Sequence, residues 1–289
     1  MTTNTSIKKL PETKKAWISI CIFLLLLIFF SSIAYFAILN LNPTSIYIGA
    51  LMMSPALAAF LTLRLQKRPL SELPWKLKDW RYLKYAYLSP TLYISLAYVM
   101  IWMLGLGQFY DSTTIQEWAK ELGLNSSSPI LVAFVMIVLL GSVGVIKNIG
   151  STLGEEIGWR GFFIFELRKI YSFKWVSIIS GLVWAIWHWP IIFLIYKNSG
   201  NLIFHLTAFT IMIIGMSIVL AYYTFKSNSL WPAALFHSVH NIYIQKIYTP
   251  LTVSNENSSF WIDEYGAMIP VITTLFGIYF WMKASKEKL

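Results

Sequence analysis

Residues 17–39 read WISICIFLLLLIFFSSIAYFAIL, an apolar run without a single Asp, Glu, Lys, Arg or His. At 1.5 Å of rise per residue, a helix of that length covers the ~30 Å hydrocarbon core of a bilayer. The run is too long for a secretory h-region and lacks a clear small-residue cleavage site, so it reads as a retained first span. Further apolar runs follow at roughly 46–63, 85–106, 130–146, 175–195, 203–225, 231–248 and 267–282. Across the 289 residues, 57% are hydrophobic and 12% charged, and the mean hydropathy is +0.61. Soluble domains carry about 25% charged residues. No outer-membrane-barrel alternation is present. The expected fold is therefore all-α, a polytopic transmembrane helix bundle of about eight spans plus a motif helix, enclosing an intramembrane active-site cavity.

The charges fall at the ends of these runs. Residues 1–16 form a tail with Lys8, Lys9, Lys14 and Lys15, expected to be cytoplasmic. The N-terminal spans occupy 17–128 and include a basic linker, 64–84, whose Trp75 and Trp80 are expected at headgroup level. A core spans 129–248, and 249–289 holds an external loop, the last span and a cytoplasmic tail. That loop carries Glu256, Asp263 and Glu264 and no basic residue, as an outside segment should. The net charge of +10 thus reads as topology and lipid contact, and nucleic acid is not an expected partner. Lys147 and the stretch 168–174 both count as inside. The segment between them is expected to enter and leave on the cytoplasmic side, or to be too tilted to cross, with the active site near that face. Cys21 is expected to be a core thiol.

One such segment breaks the apolar pattern. Residues 152–163 read TLGEEIGWRGFF, placing Glu155, Glu156 and Arg160 at membrane depth, where ionisable groups mark function by default. Glu156 and Arg160 are i,i+4 and can pair on one helix face. Glu155, turned by about 100°, is left free. Gly154, Gly158 and Gly161 share a stripe that admits a neighbouring helix. Trp184 and His188 repeat the i,i+4 spacing, as do His237 and Asn241. Hydrolysis needs a general base, a held water and oxyanion donors, and these residue types supply them. The alternative is a zinc site with Glu155, His188 and His237 as a His₂Glu ligand set. Spacing does not choose between the two. His205 reads as a core histidine, His240 as a neighbour off the His237 face, and Glu166 and Arg168 as interfacial residues.

The order Glu-Glu-x-x-x-Arg, aromatic-x-x-x-His, His-x-x-x-Asn resembles the CAAX prenyl protease and bacteriocin-processing (CPBP, or Abi) family of intramembrane endopeptidases, over roughly 130–248. The resemblance implies that Glu155 and His188 activate water and that His237 and Asn241 form the oxyanion site. Glu156, Arg160 and Trp184 would support them. It implies no catalytic metal or other cofactor, a membrane-associated peptide or protein as substrate, and a plasma-membrane location. One departure stands out: Trp184 occupies a position where this family usually has Phe. Two other classes fit an intramembrane charge cluster, a non-enzymatic immunity or scaffold protein and a transporter using buried carboxylates.

Overall fold

The computed structural model describes residues 11–41, 45–198, 201–255 and 258–289. Lys8, Lys9 and Glu256 lie outside them. Nine helices of eight or more residues form among the described residues. They are α1 (Glu12–Asn40), α2 (Ser45–Leu65), α3 (Arg81–Met103), α4 (Ser112–Leu122), α5 (Pro129–Arg168), α6 (Phe173–Tyr196), α7 (Leu202–Ser227), α8 (Trp231–Ile242) and α9 (Met268–Lys286). Local chemistry sets several ends. Asp111 Oδ1 accepts from the Thr114 N–H at 2.7 Å and caps α4, which closes on Gly123 at φ 68°. Ser128 caps α5, with Pro129 at its first position. A two-residue antiparallel ladder pairs Gln108 with Val253 and Phe109 with Thr252.

Seven of these helices, all but α4 and α8, are long and apolar enough to cross a membrane. The bundle class matches expectation, and the expected eight spans plus a motif helix differ in one place. The expected fourth span and the motif helix are one continuous helix, α5, of 40 residues. The expected span at 231–248 is helical, as α8 and a π-helical turn over Tyr243–Tyr248. It runs between the same two ends of the bundle as its neighbours. His237, Ser238, His240 and Asn241 interrupt its apolar character, which it can afford because α3, α5 and α7 pack around it.

Continuity of α5 also corrects the expected reversal at the motif. Lys147 sits mid-helix, and the chain passes through without turning back. The first half of α5 is greasy outside, with Ile130, Phe134 and Ile146 exposed. The second half, from Thr152, is buried. Two π-helical segments, Leu140–Gly144 and Ile157–Phe163, interrupt it. Such wider turns are rare and concentrate at functional positions.

Ion pairs define one end of the bundle. Arg68 Nη2 meets Glu166 Oε1 at 2.7 Å, joining the linker after α2 to the end of α5. Lys226 meets Glu287 at 2.8 Å, joining α7 to the segment after α9. Glu166 is thus a buried partner of Arg68 and Lys169. The linker contains only a short 3₁₀ turn, Leu70–Glu72, and docks onto the start of α8 through Trp231 Nε1 to the Trp75 carbonyl, 2.8 Å. The small ladder and residues 249–255 and 258–266 lie at the opposite end. Cys21 is exposed on α1 rather than in the core; a face meant for lipid selects for apolar character as a core does.

Gly154 and Gly158 do admit a neighbour. A methyl on Gly154 would lie 2.5 Å from Met53 Sδ and 2.8 Å from the Met52 carbonyl, and one on Gly158 would overlap Pro55. Both contacts are with α2. Gly161 differs, because a methyl there meets Leu230 at an ordinary 3.5 Å.

Candidate active site

Three helices bring the motif residues to one cavity. α5 and α8 are knitted together by side chains that reach each other's backbone. Thr152 Oγ1 donates to the Ala234 carbonyl at 3.0 Å, and Ser238 Oγ donates to the Val145 carbonyl at 2.7 Å. α6 is tied to α1 where Tyr35 donates to the Trp187 carbonyl at 2.9 Å and Trp187 Nε1 donates to Ser31 Oγ at 2.7 Å. Between them lies a cavity of about 240 Å³, walled by Glu155, His188, His237 and Asn241 and by apolar side chains such as Met52 and Phe209.

Glu155 is buried. Its Oε2 accepts from Trp184 Nε1 at 2.9 Å. No donor among the described residues reaches Oε1, which leaves that oxygen for the cavity. The Trp184 carbonyl lies 3.0 Å from His188 Nδ1. A carbonyl can only accept, so Nδ1 carries the proton and Nε2 of neutral His188 is a lone pair. Trp184 therefore fixes both groups at once, one from its indole and one from its backbone. A Phe in its place could not donate to Glu155.

Glu156 is fully buried and holds two partners. Arg160 Nη1 donates to its Oε1 at 3.2 Å, and His237 Nδ1 lies 2.9 Å from the same oxygen. Arg160 Nη2 donates to Ser217 Oγ on α7 at 2.9 Å, and the guanidinium lies over the Trp184 ring at 4.1 Å. Arg160 Nε and Glu156 Oε2 have no hydrogen-bond partner. The expected i,i+4 pair is present, and His237 is held by Glu156 as well as standing near Asn241. With Nδ1 engaged, only Nε2 of His237 remains for the cavity. Asn241 has no hydrogen bond to another described residue, so its amide is available.

Glu155, His188 and His237 line one cavity, but they do not converge as a ligand set. No three of His, Cys, Asp and Glu among the described residues come together as a metal site.

His205 is buried against the Tyr265 carbonyl, 2.9 Å from its Nδ1. His240 lines the cavity with its Nδ1 hydrogen-bonded to Tyr93. Sequence reasoning missed two residues at the rim, Gln245 and Glu264, and the indole bond of Trp184. Gln245 was visible in principle, since 237, 241 and 245 repeat the i,i+4 stripe. Glu264 lies in a loop whose burial no periodicity announces. These two rim residues show which way the cavity extends. The cavity extends toward the loop before α9, not toward the end that holds the Arg68–Glu166 pair.

Comparison with known proteins covers the same helices. Residues 127–243 match the type II CAAX prenyl endopeptidase Rce1-like family. The similarity to this family covers less than half of the chain. The matched segment contains all three motifs from which the resemblance to the CPBP proteins was drawn. A curated relative, CAAX prenyl protease 2 of Methanococcus maripaludis, is 32% identical over 93 residues. The match takes in 30% of this chain and 34% of the relative, so the alignment spans about a third of each. The N-terminal helices α1 to α3 and the loop before α9 lie outside the Rce1-like segment, although α2 and that loop both wall its cavity.

Proposed function

We propose that this chain is an intramembrane endopeptidase that hydrolyses peptide bonds of membrane-associated peptides or proteins. One observation carries the reading: Glu155 is anchored through a single oxygen, with its other oxygen facing a cavity shared with an unprotonated His188 Nε2. A water accepted between the two would donate one proton to each. Glu155 takes a proton as the water oxygen attacks the carbonyl carbon, and the same proton is available for the leaving amine. The oxyanion that forms meets the Asn241 amide and, when protonated, His237 Nε2. Glu156 holds His237 in that orientation, and Arg160 offsets the charge of Glu156.

The Rce1-like segment and the name of the archaeal relative support a CAAX-protease-like activity. Processing of a membrane peptide or a role in bacteriocin self-immunity are the physiological settings that suit it, in a plasma membrane with the Arg68–Glu166 end cytoplasmic. The deciding experiment compares protein termini in membranes expressing wild type and Glu155→Gln at equal abundance. New termini found only with wild type are expected, and they would name the substrates. Identical termini in both, with any immunity phenotype kept in both, would replace the peptidase with a non-enzymatic scaffold.

A further inference from the structure

Beyond the motif residues, the cavity holds one more carboxyl. Glu264 lies in the loop before α9, outside the Rce1-like segment, and its residue is only 7% exposed. Gln245 Nε2 donates to its Oε1 at 2.5 Å. Oε2 receives no hydrogen bond from any described residue, yet the side chain lines the cavity. Oε2 is not among the fully buried atoms, so it opens into the cavity, free to accept from a ligand. The loop is built to hold this carboxyl in place. Asp263 takes a left-handed φ of 67°, its Oδ1 accepts the Glu264 N–H at 2.7 Å, and its own N–H donates to Tyr98 Oη at 3.2 Å.

Position along the cavity gives this carboxyl a task. His237, Asn241 and Gln245 step along one face of α8 and its π-helical continuation, so Gln245 stands about 12 Å from His237. An extended peptide whose scissile carbonyl lies at His237 and Asn241 would reach Gln245 after about four residues, at ~3.3 Å each. No Lys or Arg lines the cavity, whose acids are Glu155 and Glu264. Lys246, next to Gln245, is exposed and is not part of the wall. A group that enters the cavity can therefore donate to this open oxygen. A charged donor does so best, because a charge-assisted hydrogen bond is roughly twice as strong as a neutral one.

We propose that Glu264, held by Gln245 at the rim, selects peptides that carry a Lys, an Arg or a free amino group about four residues from the bond to be cut. An acidic residue at that position would meet Glu264 and Asp263 as like charges and be rejected. The proposal rests on the peptidase reading for the nature of the ligand, and its test does not depend on turnover.

The probe is a dodecapeptide library in which each position in turn is Lys, Gln or Glu. It is offered to the full chain in lipid nanodiscs, with Glu155→Gln to block cleavage. Bound peptides are counted by mass spectrometry for that protein and for the same protein carrying Glu264→Gln or Glu264→Asp. We expect Lys to exceed Gln about tenfold at one position, the preference to vanish with Glu264→Gln, and its sign to survive with Glu264→Asp. Where Glu264→Gln lowers the yield of folded protein, Gln245→Ala at the exposed rim serves instead and should weaken the same preference. Equal Lys-to-Gln ratios with and without Glu264, or no preferred position at all, would overturn the proposal. Wild-type cleavage alongside unselective binding would leave the peptidase standing and remove Glu264 from it. Selective binding without any cleavage would do the reverse.

Discussion

Trp184 shows how much one side chain can decide here. Its indole N–H holds Glu155 and its carbonyl orients His188, so the proposed base and its partner share one anchor. Trp184→Phe keeps the carbonyl and most of the volume and loses only the N–H. A hydrogen bond to a charged group contributes about 1.5–3 kcal/mol, so kcat should fall by roughly ten- to a hundredfold with KM nearly unchanged. Steady-state kinetics on the first substrate identified by its new termini would check this. Arg160 predicts a different failure. Arg160→Met leaves Glu156 buried with only His237 beside it, and breaking a buried pair costs about 3–5 kcal/mol. Thermal unfolding in detergent should show the loss before any assay does. Glu264 adds a pH dependence. Burial, then the neighbouring Asp263, push its pKa up to about 7, above the ordinary carboxylate value. The groups facing it are Asp263 in its own loop, Glu155 and His237 across the cavity, and Tyr93, Tyr98, Tyr196 and Tyr265 around it. Preference for a Lys peptide should therefore rise with pH through about 7 and stay flat with Glu264→Gln. Since the native value lies above the unfolded one of about 4.3, charging Glu264 costs stability as pH climbs between them. The sequence announced the charged residues of the motif through their rarity in an apolar chain. It marked Trp184 by its spacing to His188 but could not announce the bond to Glu155, because a tryptophan among thirteen looks like packing until its nitrogen is placed.

Helices were legible where lipid or a repeating stripe constrains them. The runs at 17–39 and 203–225 became α1 and α7 because a bilayer demands length and apolarity together. The motif segment failed that reading for a physical reason. Charges at Lys147 and Arg168 suggested two ends on one side, whereas α5 carries both on a single continuous helix and buries its polar half against α2 and α8. The close approach of α2 makes a prediction at this scale. Gly158→Ala forces a methyl onto Pro55, while Gly161→Ala meets Leu230 at ordinary distance. Overpacking costs about 1–3 kcal/mol, so the first substitution should lower the melting temperature in detergent and the second should leave it nearly unchanged. Equal melting for both would show that α2 yields freely at Pro55.

For the whole molecule, the bundle has a basic end and an end whose loop carries Asp263 and Glu264. In a Cys21→Ser background, a cysteine placed at Ser172 should label from the cytoplasmic side and one at Asn255 from the other. Reversed labelling would invert the orientation without changing the bundle. Overall class was legible because composition excludes a soluble core, but the cavity's direction was not. It depends on a loop fold held by Tyr98, Gln245 and Asp263, contacts between segments far apart in the chain. One further consequence comes from the length of α5. A helix of 40 residues measures about 60 Å, twice the ~30 Å of hydrocarbon, so it must tilt steeply or stand proud of the bilayer. Only its outer half, with Ile130 and Phe134, is exposed; the half bearing Glu155 touches protein. Thinner or thicker lipid would then pull on the outer half like a lever whose short arm carries Glu155, and bilayer thickness becomes a dial on the geometry of the cavity.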